Sequence, residues 1–204
     1  MQTFLPYANY RESAKVLDNR RLNKQCLEAS QMLVLAERLD SAEEVKNNYV
    51  HHPAFLMWRG FELSLTRYAF AMFDEFARRH DGRQHASHQL LFDLCYYQPK
   101  LDAPKPSWVG DNKLHANHRA RLLMKGELDS LVARVKAAQK QGIEITLDRG
   151  LKYARNYTLE SVVAILKQLD AAGIEGSPNH YKRFGWSEKM TDKNYWPCTS
   201  GCPE

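Results

Sequence analysis

The chain has 204 residues, of which 44% are hydrophobic and 26% are charged. This balance is typical of a soluble globular protein with a single core. No stretch approaches the roughly 20 apolar residues that a membrane span needs, and the first residues lack the basic and apolar regions of a secretory signal. We therefore expect a cytoplasmic protein, and its net charge of +5 favours polyanionic partners.

Helical periodicity dominates the first half of the sequence. From Asp18, a residue type favoured at N-caps, apolar residues recur at 4-3-4-3 spacing to about Leu39. This spacing predicts a helix with one face in the core. A second helix is predicted from Ala54 to about Arg79, with Trp58 and Tyr68 on its inward face. The preceding proline is tolerated in a first helical turn. A third helix is predicted over 87–96.

The second half of the sequence is also mainly helical. The predicted elements are a loop over 99–111, a helix over 114–141 that is either continuous or broken at Gly126, a short strand or extended linker over 143–146, and a helix from the N-cap Thr158 to just before Gly173. Trp108 lies in the proline-containing loop and needs a pocket elsewhere. The predicted fold class is mainly α, a compact single domain over 1–204 with an irregular, aromatic-rich C-terminal tail.

Three pairs of residues have spacings that are compatible with part of a metal site. They are Cys198 with Cys202, His85 with His88, and His115 with His118. The cysteines can equally belong to a loose tail. Neither histidine pair is followed by an acidic third ligand at the spacing of zinc hydrolases. We therefore expect no bound metal and no cofactor.

The polar face of the helix predicted from Asp18 carries the most informative side chains. They fall within about 120° of one another beside the apolar stripe, and they are Arg21, Lys24, Gln25, Glu28 and Gln31. In one interpretation this is a solvated face with a weak Lys24–Glu28 ion pair. In the other, Glu28 is a catalytic acid/base among cations that also bind a phosphate backbone.

Further polar residues are candidates for contacts with phosphates or bases. His115, His118, Arg119 and Arg121 cluster near the start of the helix predicted over 114–141, with Lys125 one to two turns further on, an arrangement suited to phosphate. His52, at a helix entrance, is either a cap or a group directed at a ligand. Aromatic and basic residues alternate from Tyr181 to Trp196. This mixture stacks on exposed bases in some proteins and forms a local core in others.

Five sequence blocks occur in order along the chain: Met1 to Tyr7; Val16 to Leu22 with Lys24, Gln25 and Glu28; His52-Pro53-Ala54 with Met57, Trp58 and Gly60; His118-Arg119 with Leu122, Leu123 and Lys125; and His180-Tyr181 with Tyr195-Trp196-Pro197. Together they resemble the pyrimidine dimer DNA glycosylase family, in particular its bacterial branch. The resemblance implies a small, mostly helical glycosylase with lyase activity. In that family the free N-terminal amine attacks the sugar carbon, and a glutamate on the first helix assists.

Carried over to this chain, the resemblance implies Glu28 as the glutamate and the amine of Met1 as the nucleophile. Met1 should be retained before a residue as large as Gln2. Lys24 is a second candidate nucleophile if Arg20 and Arg21 favour its neutral form, and water is a third. The expected DNA-binding residues are Arg20, Arg21, Gln25, His52, His118, Arg119, Arg121 and Lys125.

The expected partner is double-stranded DNA containing a damaged or modified pyrimidine, bound by a monomer away from any membrane. Relative to the family pattern, the segment Gly126 to Ser177 is an insertion with its own helix pair. It is either a lid or reader of an unusual base, or a stabilising addition, so the substrate need not be an ultraviolet dimer. The alternative function is a non-catalytic DNA-binding protein on the same scaffold.

Overall fold

The structure is a computed structural model that describes residues 2–41, 45, 48–94, 104–143, 145, 158–191 and 193–197. These residues are mainly helical and include no strand, which confirms the predicted fold class. The helices are α1 (Tyr10–Val16), α2 (Asn19–Asp40), α3 (Pro53–Leu56), α4 (Glu62–Arg79), α5 (Asn112–Lys140) and α6 (Leu159–Ala171), with 3-10 turns at Asn48–His51, Ala86–Leu91 and His180–Phe184. Within the described residues, no helix combines the length and apolar character of a membrane span.

The chain divides into two compact units. Unit 1 comprises Met1–His115 and Tyr195–Glu204, and unit 2 comprises Ala116–Asn194. The single glycosylase-like domain over 1–204, with an insertion at 126–177, stays a prediction.

Helix α2 forms the centre of unit 1 and confirms the predicted helix almost to the residue. The Asp18 carboxylate accepts a hydrogen bond from the Arg21 backbone N–H at 2.8 Å, as an N-cap does. The apolar stripe at 4-3-4-3 spacing is fully buried, and α4 packs against both α1 and α2. Burial also raises the pKa of the Cys26 thiol in this stripe to about 12, so Cys26 is an inert core residue.

The continuous helix predicted over 54–79 is wrong, because the structure breaks it into α3 and α4. Gly60 lies between them with φ of +80°, a left-handed conformation that other residues adopt only at a cost. The Glu62 carboxylate accepts a hydrogen bond from the Gly60 N–H at 2.9 Å and stabilises the turn. The helix predicted over 87–96 is a 3-10 turn at Ala86–Leu91, and residues 95 and 96 lie outside the described residues.

Unit 2 is built on α5 and α6. Of the two alternatives at Gly126, the structure has the unbroken helix, since α5 is continuous through it. Thr158 caps α6 as predicted, and α5 ends as predicted before Gly142, whose φ is +73°. Of the strand or linker predicted over 143–146, the described residues Ile143 and Ile145 are not in a strand and pack against the core of the unit. That core is formed by Met124, Leu131, Val135, Ala138, Val162, Ile165, Leu169 and Ile174.

Candidate active site

The segment that follows Met1 is buried inside unit 1. Thr3, Phe4 and Leu5 are at most 4% exposed. The Trp58 indole N–H donates to Thr3 Oγ1 at 3.0 Å, and His115 Nδ1 lies 2.7 Å from the Leu5 carbonyl oxygen. Nε2 of His115 accepts a hydrogen bond from a backbone N–H, so Nδ1 carries the hydrogen and is the donor. Side chains from distant parts of the chain therefore fix the path of this segment.

Gln25 on α2 connects the segment to the helix, and its side-chain amide uses all of its hydrogen-bonding capacity in bonds to the segment, Tyr68 and Glu28. Its Oε1 accepts from the Phe4 backbone N–H at 3.0 Å and from the Tyr68 hydroxyl at 2.7 Å. Its Nε2 donates to the Gln2 carbonyl at 2.9 Å and to Glu28 Oε2 at 3.2 Å. Gln25 is 1% exposed, so these bonds are shielded from water. The sequence interpretation placed Gln25 in contact with DNA; the structure places it in this internal network.

Glu28 lies one turn further along α2, and its carboxylate contacts the backbone of Gln2. Oε2 accepts a hydrogen bond from the Gln2 backbone N–H at 3.2 Å, and Oε1 lies 3.7 Å from Lys24 Nζ. Glu28 is 8% exposed, whereas the side chain of Lys24 is 67% exposed. The arrangement is a largely buried carboxylate that contacts the chain start on one side and a cation on the other. Met1 itself lies outside the described residues.

Two neighbouring groups have shifted pKa values. Burial raises the pKa of Tyr68 well above its usual range, and the nearby Glu28 carboxylate also raises it. The Tyr68 hydroxyl therefore stays protonated and donates to Gln25. Burial lowers the pKa of His52, while Glu28 acts in the opposite direction. His52 Nδ1 accepts a hydrogen bond from the Ala54 N–H at 3.1 Å and so caps α3.

The other predicted cations of α2 are Arg20 and Arg21, and they lie in its first turn. Arg20 is exposed. The Arg21 guanidinium forms an ion pair with the Asp18 carboxylate at 3.0 Å, and its side chain is only 12% exposed. The structure therefore leaves Arg20 and Lys24 as the exposed cations among the predicted site residues of α2.

The other four predicted DNA-binding residues belong to unit 2 and lie along α5. His118 is fully buried. Arg119 lies 2.6 Å from Glu188 through both Nε and a terminal nitrogen, and the side chains of both partners are 20% exposed. Arg121 and Lys125 are half-buried.

The histidines considered as metal ligands have other contacts. His85 Nδ1 accepts a hydrogen bond from the Ser87 N–H at 3.1 Å, and its Nε2 lies 3.0 Å from Asn23 Oδ1. Across the described ranges, no three His, Cys, Asp or Glu side chains form a group that could hold a metal ion. Cys198 and Cys202 lie outside those ranges.

The sequence interpretation missed the residues that anchor the N-terminal segment. Trp58 and Tyr68 were assigned only to the core, and His115 was considered only for phosphate or metal. A buried indole or phenol needs a hydrogen-bond partner for its polar end. This need was the signal in the sequence that could have indicated a polar role for Trp58 and Tyr68. The periodicity does not identify the partner, because Thr3 and Phe4 are far from these residues in sequence.

Unit 1 is thus a helical fold with a largely buried carboxylate beside the Gln2 backbone, and a carboxylate is one of the groups that can transfer protons in an enzyme. Residues 1–89 match the model of the pyrimidine dimer DNA glycosylase family. The match confirms the resemblance over this segment, which contains α1 to α4, and it supports DNA glycosylase activity on DNA with pyrimidine damage. No curated protein and no solved structure matches the chain. The bacterial branch and the insertion stay predictions.

Proposed function

We propose that this protein excises a damaged or modified pyrimidine from duplex DNA and then acts as a lyase on the resulting abasic site. The observation that carries the proposal is the 3.2 Å hydrogen bond from the Gln2 N–H to the Glu28 carboxylate. Because the α-amine of residue 1 is joined to the Gln2 nitrogen by three covalent bonds, an acid/base group is held close to the attachment point of an amine. The buried anchors of Thr3 and Leu5 support a defined position for this attachment point.

An α-amine is suited to this chemistry because it titrates near pH 8, so a useful fraction is neutral and nucleophilic at physiological pH. In the proposed reaction the amine attacks C1′ of the deoxyribose and the bond from C1′ to the base breaks, so that the base leaves as an anion and takes a proton from water. Glu28 accepts the proton that the amine loses. It returns a proton to the ring oxygen as the sugar opens to an imine.

Lys24 is less suited to the role of nucleophile than the amine of Met1. Its Nζ lies 3.7 Å from the Glu28 carboxylate. That ion pair requires the protonated amine, which has no free electron pair for attack. We therefore assign Lys24 to charge balance around Glu28 and to a phosphate contact at the surface.

In unit 1 we propose that Arg20, Lys24 and Nε2 of His52 contact DNA, since Nδ1 of His52 caps α3. In unit 2 we propose Arg121 and Lys125, with Arg119 limited by its ion pair with Glu188. Cation contacts with phosphates displace condensed counterions. Affinity of the monomeric protein for duplex DNA should therefore fall steeply between about 50 and 200 mM salt. A flat salt dependence would contradict these assignments.

The test of the mechanism is borohydride trapping on duplexes that carry an abasic site, an ultraviolet dimer or one of a panel of modified pyrimidines. Reduction of the imine leaves protein covalently attached to DNA. Glu28→Gln should abolish base release and trapping while DNA affinity stays near that of the wild type. Glu12→Gln is the matched control, because Glu12 is an exposed carboxylate that pairs with Lys15 on α1.

The nucleophile is assigned by two further variants. Acetylation of the N-terminus should abolish trapping, whereas Lys24→Ala should retain it, and mass spectrometry of the purified protein checks that Met1 is intact. Trapping that survives acetylation but is lost in Lys24→Ala would refute the amine of Met1. If the wild type releases a base without trapping, water is the nucleophile. If it neither traps nor releases any base of the panel, a non-catalytic DNA-binding protein is the better interpretation.

A further inference from the structure

A polar cavity opens in unit 1 between α1 and α4. Its volume is about 370 Å³, which lies within the range of roughly 300–1,000 Å³ that is usual for small-molecule sites. Its lining includes three cationic side chains, one carboxylate and two aromatic rings, namely Arg11, Arg67, Lys105, Asp74, Tyr10 and Phe70.

The three cations reach the cavity from separate parts of the chain. Arg11 is on α1, Arg67 is on α4, and Lys105 is in the loop before α5. Like charges around one cavity repel each other, and among the described lining residues Asp74 supplies the one carboxylate beside Arg11 and Lys105. These described residues therefore carry an excess of positive charge that an anion would neutralise.

Lys105 is held in position by its surroundings. The prolines on either side restrict its backbone. Three residues later, Trp108 is only 6% exposed and packs edge-on against Trp58, with 4.7 Å between ring centroids. The Lys105 ammonium lies 5.8 Å from the centre of the Tyr10 ring. The restrained backbone reduces the entropy that is lost when the exposed Lys105 side chain binds a ligand.

Two of the cations are available for a ligand. In the part of the chain that the structure describes, neither the Arg11 guanidinium nor the Lys105 ammonium pairs with a carboxylate. The charge of Arg67 lies close to Tyr10. Burial is the main influence on the pKa of Tyr10 and raises it, while the hydrogen bond with Ser64 and the charge of Arg67 act in the opposite direction.

We infer that this cavity binds a phosphate group of a nucleotide, either within the DNA backbone or on a free nucleotide. Guanidinium and ammonium groups are the usual partners of phosphate. The cavity exceeds the size of a phosphate alone, and the Tyr10 and Phe70 rings offer an apolar wall for the sugar or base. Glu28 is not part of the lining, so the inference is independent of the proposed glycosylase reaction.

The test compares two double variants of the full-length protein. Arg11→Gln/Lys105→Gln removes two charges from the cavity. Lys15→Gln/Arg83→Gln removes two exposed charges outside its lining and is the matched control. Amide chemical shifts are followed during titration with inorganic phosphate and with deoxycytidine monophosphate. Duplex DNA affinity is measured in parallel as a function of salt.

The expected result is saturable shifts of the amides around Arg11, Arg67 and Lys105 in the wild type and the control, and their loss in the cavity variant. A DNA backbone ligand would also lower the slope of log Kd against log salt in the cavity variant by about 0.9 per lost phosphate contact, beyond the control. A free nucleotide would leave the two double variants with equal slopes. Absence of saturable shifts together with equal slopes would overturn the inference, while the borohydride experiment would still test the glycosylase reaction separately.

Discussion

Gln25→Met is the substitution that most directly tests how the start of the chain is positioned. Methionine has nearly the same length as glutamine but makes no strong hydrogen bonds, so the substitution removes the polar network with little change in volume. The Phe4 N–H and the Gln2 carbonyl lose their partner on Gln25. The Tyr68 hydroxyl keeps a second acceptor, the Phe4 carbonyl at 3.2 Å.

The magnitude follows from these two lost partners. A buried polar group without a hydrogen bond costs about 1–3 kcal/mol, so Gln25→Met should lower the free energy of unfolding by about 2–5 kcal/mol. For a chain of this length, the midpoint of thermal unfolding should fall by roughly 5–15 °C. The yield of borohydride trapping should fall as well, because the carboxylate of Glu28 also loses its bond to Gln25. Duplex affinity should stay unchanged.

Gln31→Met on the exposed side of α2 is the control, since Gln31 is on the same helix but in contact with solvent. A surface substitution of this kind should change stability by no more than about 0.5 kcal/mol. Thermal and urea unfolding followed by circular dichroism measure both variants. If Gln25→Met is as stable as Gln31→Met and traps DNA as efficiently as the wild type, then Gln25 does not hold the N-terminal segment in place.

Three other outcomes can be measured with the same assays. Burial lowers the pKa of His88, so below about pH 6.5 the unfolded chain binds more protons than the folded one. Stability should therefore fall between pH 7 and pH 5, and His88→Phe should flatten that slope; an unchanged slope would contradict this cause. Gly126→Ala should destabilise unit 2, because a Cβ there would collide with the Asn179 side chain, whereas the same change at an open helical site stabilises; a higher unfolding midpoint would be contrary evidence. Glu188→Gln should release Arg119 and tighten duplex binding more than neutralising an exposed carboxylate elsewhere; equal effects would assign Arg119 a structural role.

The sequence was sufficient for those features that depend on neighbouring residues. The N-cap at Asp18, the buried stripe of α2 and the cap of α6 at Thr158 depend on spacing within one helix, and the structure confirms them. The proximity of Lys24 and Glu28 follows in the same way from their separation by one helical turn. Glycine was harder to interpret. Gly60 breaks a predicted helix because its φ is positive, while Gly126 lies within a continuous helix at a point where a neighbouring side chain occupies the space of a Cβ.

The tertiary structure alone decided what surrounds Glu28. No periodicity indicates that Gln25 contacts Gln2 and Phe4, that Trp58 reaches Thr3, or that His115 reaches Leu5, since these pairs are 21 to 110 residues apart. The cavity between α1 and α4 likewise depends on a loop that returns to α1 from far along the chain. The spacing of residues within a helix is set by local backbone geometry. Contacts between distant segments are chosen by the packing of the whole core and by the need of every buried polar group for a partner.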